Sequence, residues 1–175
     1  MTTIGVLGPG GVGGLIAAKF IAAGHDVTVI ATERTAAEIT ANGLTFTQAD
    51  GTSTVYRPLA RPALTEPVDV LFVATKATGL LPALQRVPAA VLGDATVLPL
   101  LNGVDHLPLL RAIYPDCDVV AATIAVEAIR HRPGVIEQRS PFAALVVTDG
   151  TRAGADAAEL LRSAGLDVST HAEER

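Results

Sequence analysis

Thr3-Ile4-Gly5-Val6-Leu7-Gly8-Pro9-Gly10-Gly11-Val12-Gly13 is the stretch that decides the fold. A short apolar run leads straight into a Gly-x-Gly-x-x-Gly loop, and the loop leads into the helix-forming residues Leu15-Ile16-Ala17-Ala18-Lys19-Phe20-Ile21. Strand, glycine loop and helix in that order form the dinucleotide-binding fingerprint in its proper context. Gly8 suits the tight turn, Gly10 lets the backbone approach a pyrophosphate, and Gly13 lets the helix pack closely on the strand. The free amides and positive dipole end of that helix then face the phosphates. With 16 glycines in the chain, spacing alone would carry little weight; position between strand and helix carries it. Gly8, Pro9, Gly10, Gly11, Val12 and Gly13 are therefore candidate cofactor-binding residues.

The 175 residues suffice for one domain with a sizeable core. Hydrophobic residues make up 49% and mean hydropathy is +0.42, which excludes disorder. Aromatics are only 3% and Trp is absent, so the core must be built from Ala, Val, Leu and Ile, the usual filling of a buried parallel sheet. A net charge of -5 without a basic run argues against nucleic acid as a partner. Cys117 is the single cysteine, so no intrachain disulfide or thiolate cluster forms, no metal site is read, and the cytoplasm is the expected compartment. No membrane span is expected, and the glycine-broken amino terminus lacks the basic start of a signal peptide.

The remaining chain alternates strand and helix signals. Gly24 closes the first helix and Val27 to Ile30 forms the second strand, with His25 an exposed turn residue. Thr35 is read as the cap of a helix from Ala36 to Asn42. Leu44 to Gln48 and Thr52 to Tyr56 read as a hairpin, and the prolines 58, 62 and 67 as a loop. Val68 to Ala74 is a buried central strand followed by one helix from Leu80 to Leu92, and Thr96 to Leu101 is another strand. Asp105 is read as the cap of a helix to Tyr114. Strands follow at Val119 to Val126, Val135-Ile136 and Phe142 to Val147, then a helix from Thr151 to Ala164 and an edge strand at Leu166 to Val168. The expectation is one Rossmann-type, doubly wound α/β domain with a mainly parallel sheet over residues 1–169, and a polar tail or linker at 170–175.

In such sheets ligands sit at the carboxyl ends of the strands. Thr75-Lys76 and Asn102 fall there, after the two central strands. Lys76, one of two lysines, brings a cation and three donors. Asn102 suits a ribose or substrate hydroxyl, and Asn-Gly is equally a common turn pair. After the second strand, Ala31 stands where an acid would grip a ribose 2′-hydroxyl, with Thr32 and Arg34 within reach of a 2′-phosphate. Glu33 keeps NAD open; the balance favours NADP.

Taken together, Gly8-Pro9-Gly10-Gly11-Val12-Gly13, Gly24-His25-Asp26-Val27, Asn42-Gly43-Leu44, Thr75-Lys76-Ala77, Asn102-Gly103-Val104 and Pro133-Gly134-Val135 resemble the N-terminal half of ketopantoate reductase (2-dehydropantoate 2-reductase). The resemblance implies reduction of a 2-keto acid by NADPH in pantothenate biosynthesis, with Lys76 and Asn102 as catalytic-cleft residues that also reach the cofactor, and Ala128 as a further cofactor-lining position. Thr32 replaces the family's usual Arg, Leu101 its Gln, and Glu127 a Gly. The family's helical C-terminal domain is absent from the 175 residues, and its proton-donating lysine would fall only a few residues beyond Arg175. The expected partners are a small 2-keto acid, and either a second copy or a separate helical domain. A dinucleotide-binding module without turnover is the alternative. A face near Leu160, Leu161, Leu166 and Val168 is expected to be exposed for such a partner.

Overall fold

The computed structural model describes residues 1–103 and 105–172. Val104 of the Asn-Gly-Val run and residues 173–175 of the polar tail lie outside them. Six parallel strands form the main sheet: β1 (Thr3–Leu7), β2 (Asp26–Ile30), β5 (Leu59–Arg61), β6 (Val70–Val73), β7 (Thr96–Pro99) and β8 (Asp118–Val119). Their order is β5-β2-β1-β6-β7-β8, so the chain winds outward from β1 first one way and then the other. The reversal of direction between β1 and β6 leaves a crevice at their carboxyl ends. This is the doubly wound α/β fold that the glycine loop implies.

Helix α1 (Gly11–Ala22) is apolar all round, and the architecture explains why. One side packs on the main sheet and the other on a four-stranded sheet of order β10-β11-β3-β4, built from hairpins β3 (Leu44–Thr47) with β4 (Ser53–Tyr56) and β10 (Ala128–Arg132) with β11 (Val135–Gln138). A Cβ on Gly14 would lie 2.4 Å from Ile136 Cγ1, and one on Gly11 2.2 Å from the Ala128 carbonyl oxygen. Small residues here let the second sheet close on the helix. A third sheet joins β9 (Ala122–Ala125), β12 (Ala144–Thr148) and β13 (Asp167–His171), crossed by α6 (Arg152–Ser163).

Several expectations need correction. Helix α2 (Glu33–Asn42) starts earlier than read: Thr32 is its cap, accepting from the Thr35 N–H at 3.4 Å, while Thr35 is buried. The helix read over Leu80 to Leu92 is α3 (Leu80–Leu84) and α4 (Ala89–Leu92), because Pro88 lacks the amide to continue the ladder. Asp105 precedes α5 (His106–Ile113) without a side-chain cap bond. The stretch Val119 to Val126 divides between two sheets, β8 and β9, and β5 emerges from the proline-rich loop. His25 is half-buried, edge-on to Phe20 at 5.5 Å, rather than an exposed turn residue. The edge strand β13 runs to His171, beyond the Val168 expected. Leu161 and Leu166 are buried and Leu160 and Val168 pack against the core, so no exposed apolar face forms there.

Candidate functional site

A cleft of about 510 Å³ opens at the carboxyl ends of β1, β2 and β6, with β10 contributing a further wall. Its floor is the glycine loop. Gly8 sits at φ +88°, a conformation that side chains rarely tolerate, and its N–H donates to the Ile30 carbonyl at 3.0 Å. A Cβ on Gly13 would lie 2.2 Å from the Gly8 carbonyl oxygen, so the helix can approach the loop only without one. Gly10 differs from both. A Cβ there would meet nothing within 4 Å, so the space above it is open on the cleft side.

The first intrahelical bond of α1 runs from the Gly14 N–H to the Gly10 carbonyl at 2.8 Å. The amides of Gly11, Val12 and Gly13 precede it and have no intrahelical acceptor. No side chain caps this end, and no acidic residue stands in its first turn. Such an end attracts an anion.

Three cations line the cleft, Lys76, Arg86 and Arg130, and no carboxylate is among the described lining residues. In a chain of net charge -5 that is a local reversal of sign. One polar atom lacks a partner: Thr75 Oγ1 is buried in this wall and makes no hydrogen bond. A buried hydroxyl left unpaired costs about 1–3 kcal/mol unless a ligand completes it. An open glycine cradle, an orphaned hydroxyl and cations without acids together fit a phosphate-bearing nucleotide.

Of the residues singled out from sequence, Gly8, Pro9, Gly10, Gly11, Thr32, Lys76 and Ala128 come together around the cleft. Val12 and Gly13 lie within α1, behind the cleft surface, and contribute their backbone. The Thr32 hydroxyl is engaged with Thr35, donating to its Oγ1 at 3.1 Å. Arg34 is exposed on α2 and Asn102 is exposed beyond β7; neither lines the cleft. Sequence reasoning missed Arg86 and Arg130. Arg130 had a signal, since β10 places it two residues from Ala128 on the same face. Arg86 had none, because its place near Ala31 is created by tertiary packing.

A family model for ketopantoate reductase PanE/ApbA matches residues 4–149. A PanE/ApbA family ketopantoate reductase from Ralstonia eutropha JMP134 superposes with a TM-score of 0.86 at 26% identity, covering 97% of this chain and 56% of that one. D-mandelate dehydrogenase with NADH and anilino(oxo)acetate superposes equally well, TM-score 0.86, at 22% identity over 97% of this chain and 56% of its own, a likeness of fold. The uncharacterized oxidoreductase YkpB of Bacillus subtilis strain 168 is 27% identical over 135 residues, 77% of this chain and 45% of that protein. The chain thus spans about half the length of these relatives. The match over residues 4–149 makes the chain a member of the PanE/ApbA ketopantoate reductase family of oxidoreductases.

Proposed function

We propose that residues 1–175 form the dinucleotide-binding half of an NADP-dependent reductase of the 2-dehydropantoate 2-reductase type. The observation that supports this most is the joining of an open glycine cradle to a cationic cleft without carboxylates. The 2′-phosphate that distinguishes NADP from NAD adds about -1.5 to -2 of charge near neutral pH. A nicotinamide dinucleotide, when bound, supplies the hydride. The amides of Gly11, Val12 and Gly13 would hold the pyrophosphate, and Thr75 Oγ1 would gain the hydrogen bond it lacks. Lys76 offers its ammonium to a phosphate, or to the carboxylate or carbonyl oxygen of the keto acid. On this reading Asn102, exposed just beyond β7, would serve the nicotinamide or substrate end. In the net reaction C2 of a 2-keto acid gains a hydride and its oxygen a proton, giving the 2-hydroxy acid; the proton donor belongs to the helical half.

NADH is the competing cofactor, since it accompanies the structurally similar mandelate dehydrogenase. Calorimetric titration separates the two. A preference for NADPH of about tenfold, near 1.4 kcal/mol, is expected, and the same preference for NADH would overturn the reading. Oxidation of NADPH with ketopantoate, measured on the chain joined to a helical half of the family, tests the reaction. Tight cofactor binding with no turnover by the joined protein would instead favour the binding module.

A further inference from the structure

Directly after β2, where a cation would meet a 2′-phosphate, stand Ala31 and Thr32, and the Thr32 hydroxyl is taken up in capping α2. The structure supplies a cation to the same place from a different element. Arg86 lies just past α3 in the crossover between β6 and β7 and lines the cleft. Its backbone is fixed at both ends: its N–H donates to the Ala83 carbonyl at 2.9 Å, and its carbonyl accepts from the Leu64 N–H at 2.8 Å. Its guanidinium is fixed as well. Nη1 donates to the Pro62 carbonyl at 2.9 Å and to the Ala31 carbonyl at 3.3 Å.

Ala31 is the residue that follows β2, where folds of this kind recognise the ribose 2′ position. The two Nη1 bonds hold the planar fork beside that position, while Nε and Nη2 have no acceptor among the described residues. A guanidinium anchored along one side with donors left over is pre-organised for a phosphate, which it grips in bidentate fashion. The other cations are placed differently. Arg34 lies outside the cleft, and Arg130 enters on β10, the strand that closes against Gly11 at the pyrophosphate side.

We propose that Arg86 is the residue that reads the 2′-phosphate of NADP in this chain; the proposal rests on the NADP reading above. It follows that cofactor choice here is set from the β6–β7 crossover.

Two small probes isolate the contact: adenosine 2′,5′-bisphosphate, and 5′-AMP, which lacks only the 2′-phosphate. Wild-type chain is expected to bind the bisphosphate about tenfold or more tightly than 5′-AMP by calorimetry. Arg86→Gln should reduce that ratio to about threefold or less while leaving 5′-AMP affinity within about twofold. Arg34→Ala should leave the ratio intact. A lysine at 86 keeps charge but loses the planar fork, so Arg86→Lys should fall between the two. An unchanged ratio in Arg86→Gln, or equal loss of both probes, overturns the proposal. Should Arg86→Gln fail to fold, Arg86→Lys decides: a ratio reduced about threefold supports it and an unchanged ratio overturns it. A wild-type chain that binds both probes equally would sink the NADP reading itself, an outcome distinct from failure of Arg86 alone.

Discussion

The carboxyl ends and the amino ends of β1 and β2 each carry a cavity, of about 510 and about 500 Å³. Size does not distinguish them; strand direction does. At the carboxyl ends the chain turns through glycines into a helix start, so uncapped amides and cations face the space. At the amino ends, Thr3 and Asp26 open a groove whose walls mix Arg57 and Arg61 with Asp26 and Glu66, and Gly24 and His25 mark where α1 has finished. Helix ends of opposite sign thus meet the two cavities. A parallel sheet is a polar object, and an anionic nucleotide fits one end of it.

The largest test of that contrast uses two glycines three residues apart. Gly10→Val should abolish NADPH binding, a loss of about 100-fold or more, with the melting temperature nearly unchanged, because its side chain enters open space that the pyrophosphate needs. Gly13→Ala should do the reverse in kind, costing about 2 kcal/mol or more of stability through the clash with the Gly8 carbonyl. A destabilised Gly10 variant with intact affinity would break the distinction. Next in size is Thr75→Val. Removing an unpaired buried hydroxyl should leave stability unchanged or raised, yet weaken NADPH by about fivefold, near 1 kcal/mol, measured by calorimetry beside a thermal melt. Unchanged affinity would mean that no ligand atom completes Thr75.

How legible these features were in the sequence follows the range of the contacts involved. β1, the glycine loop and α1 are contiguous, so the local pattern specified them, and the apolar run around Val70–Val73 declared a strand buried on both faces. β5 is three residues long among prolines and exists because Thr28 to Ile30 pair with it. The second sheet depends on β11 lying parallel to β3, a pairing across some ninety residues that no local signal encodes. The cap at Thr32 rather than Thr35 is a choice between like residues, settled by the burial of Thr35. In the cleft, the loop and Lys76 were legible because they follow strands directly. Arg86 was not, since it is 55 residues from the carbonyl that orients it.

Two smaller effects belong to the amino end. Arg57→Ala should change NADPH affinity by less than about twofold, and a larger loss would move the site to the wrong end of the sheet. Asp69 accepts from the Thr3 N–H at 2.7 Å and from Thr3 Oγ1 at 2.8 Å, and the backbone bond first, then the hydroxyl, hold its carboxyl below the usual carboxylate range. A lowered folded-state value contributes stability above the unfolded value of about 3.9, lost as pH falls through the folded one. Asp69→Asn should therefore lower the melting temperature by about a degree or two at pH 7, with the difference closing as pH falls below the unfolded value of about 3.9 in a melt series and no effect on cofactor affinity.

The most direct measurement is an NMR titration of the nitrogen-15-labelled chain with NADPH, following each backbone amide. Shifts concentrated at Gly8 to Gly13, Thr75, Lys76 and Ala128 to Arg130 are expected, with the amides around Asp26 and Arg57 unmoved. Shifts concentrated around Arg57 and Asp26, with the glycine loop silent, would contradict the assignment of the nucleotide to the carboxyl end.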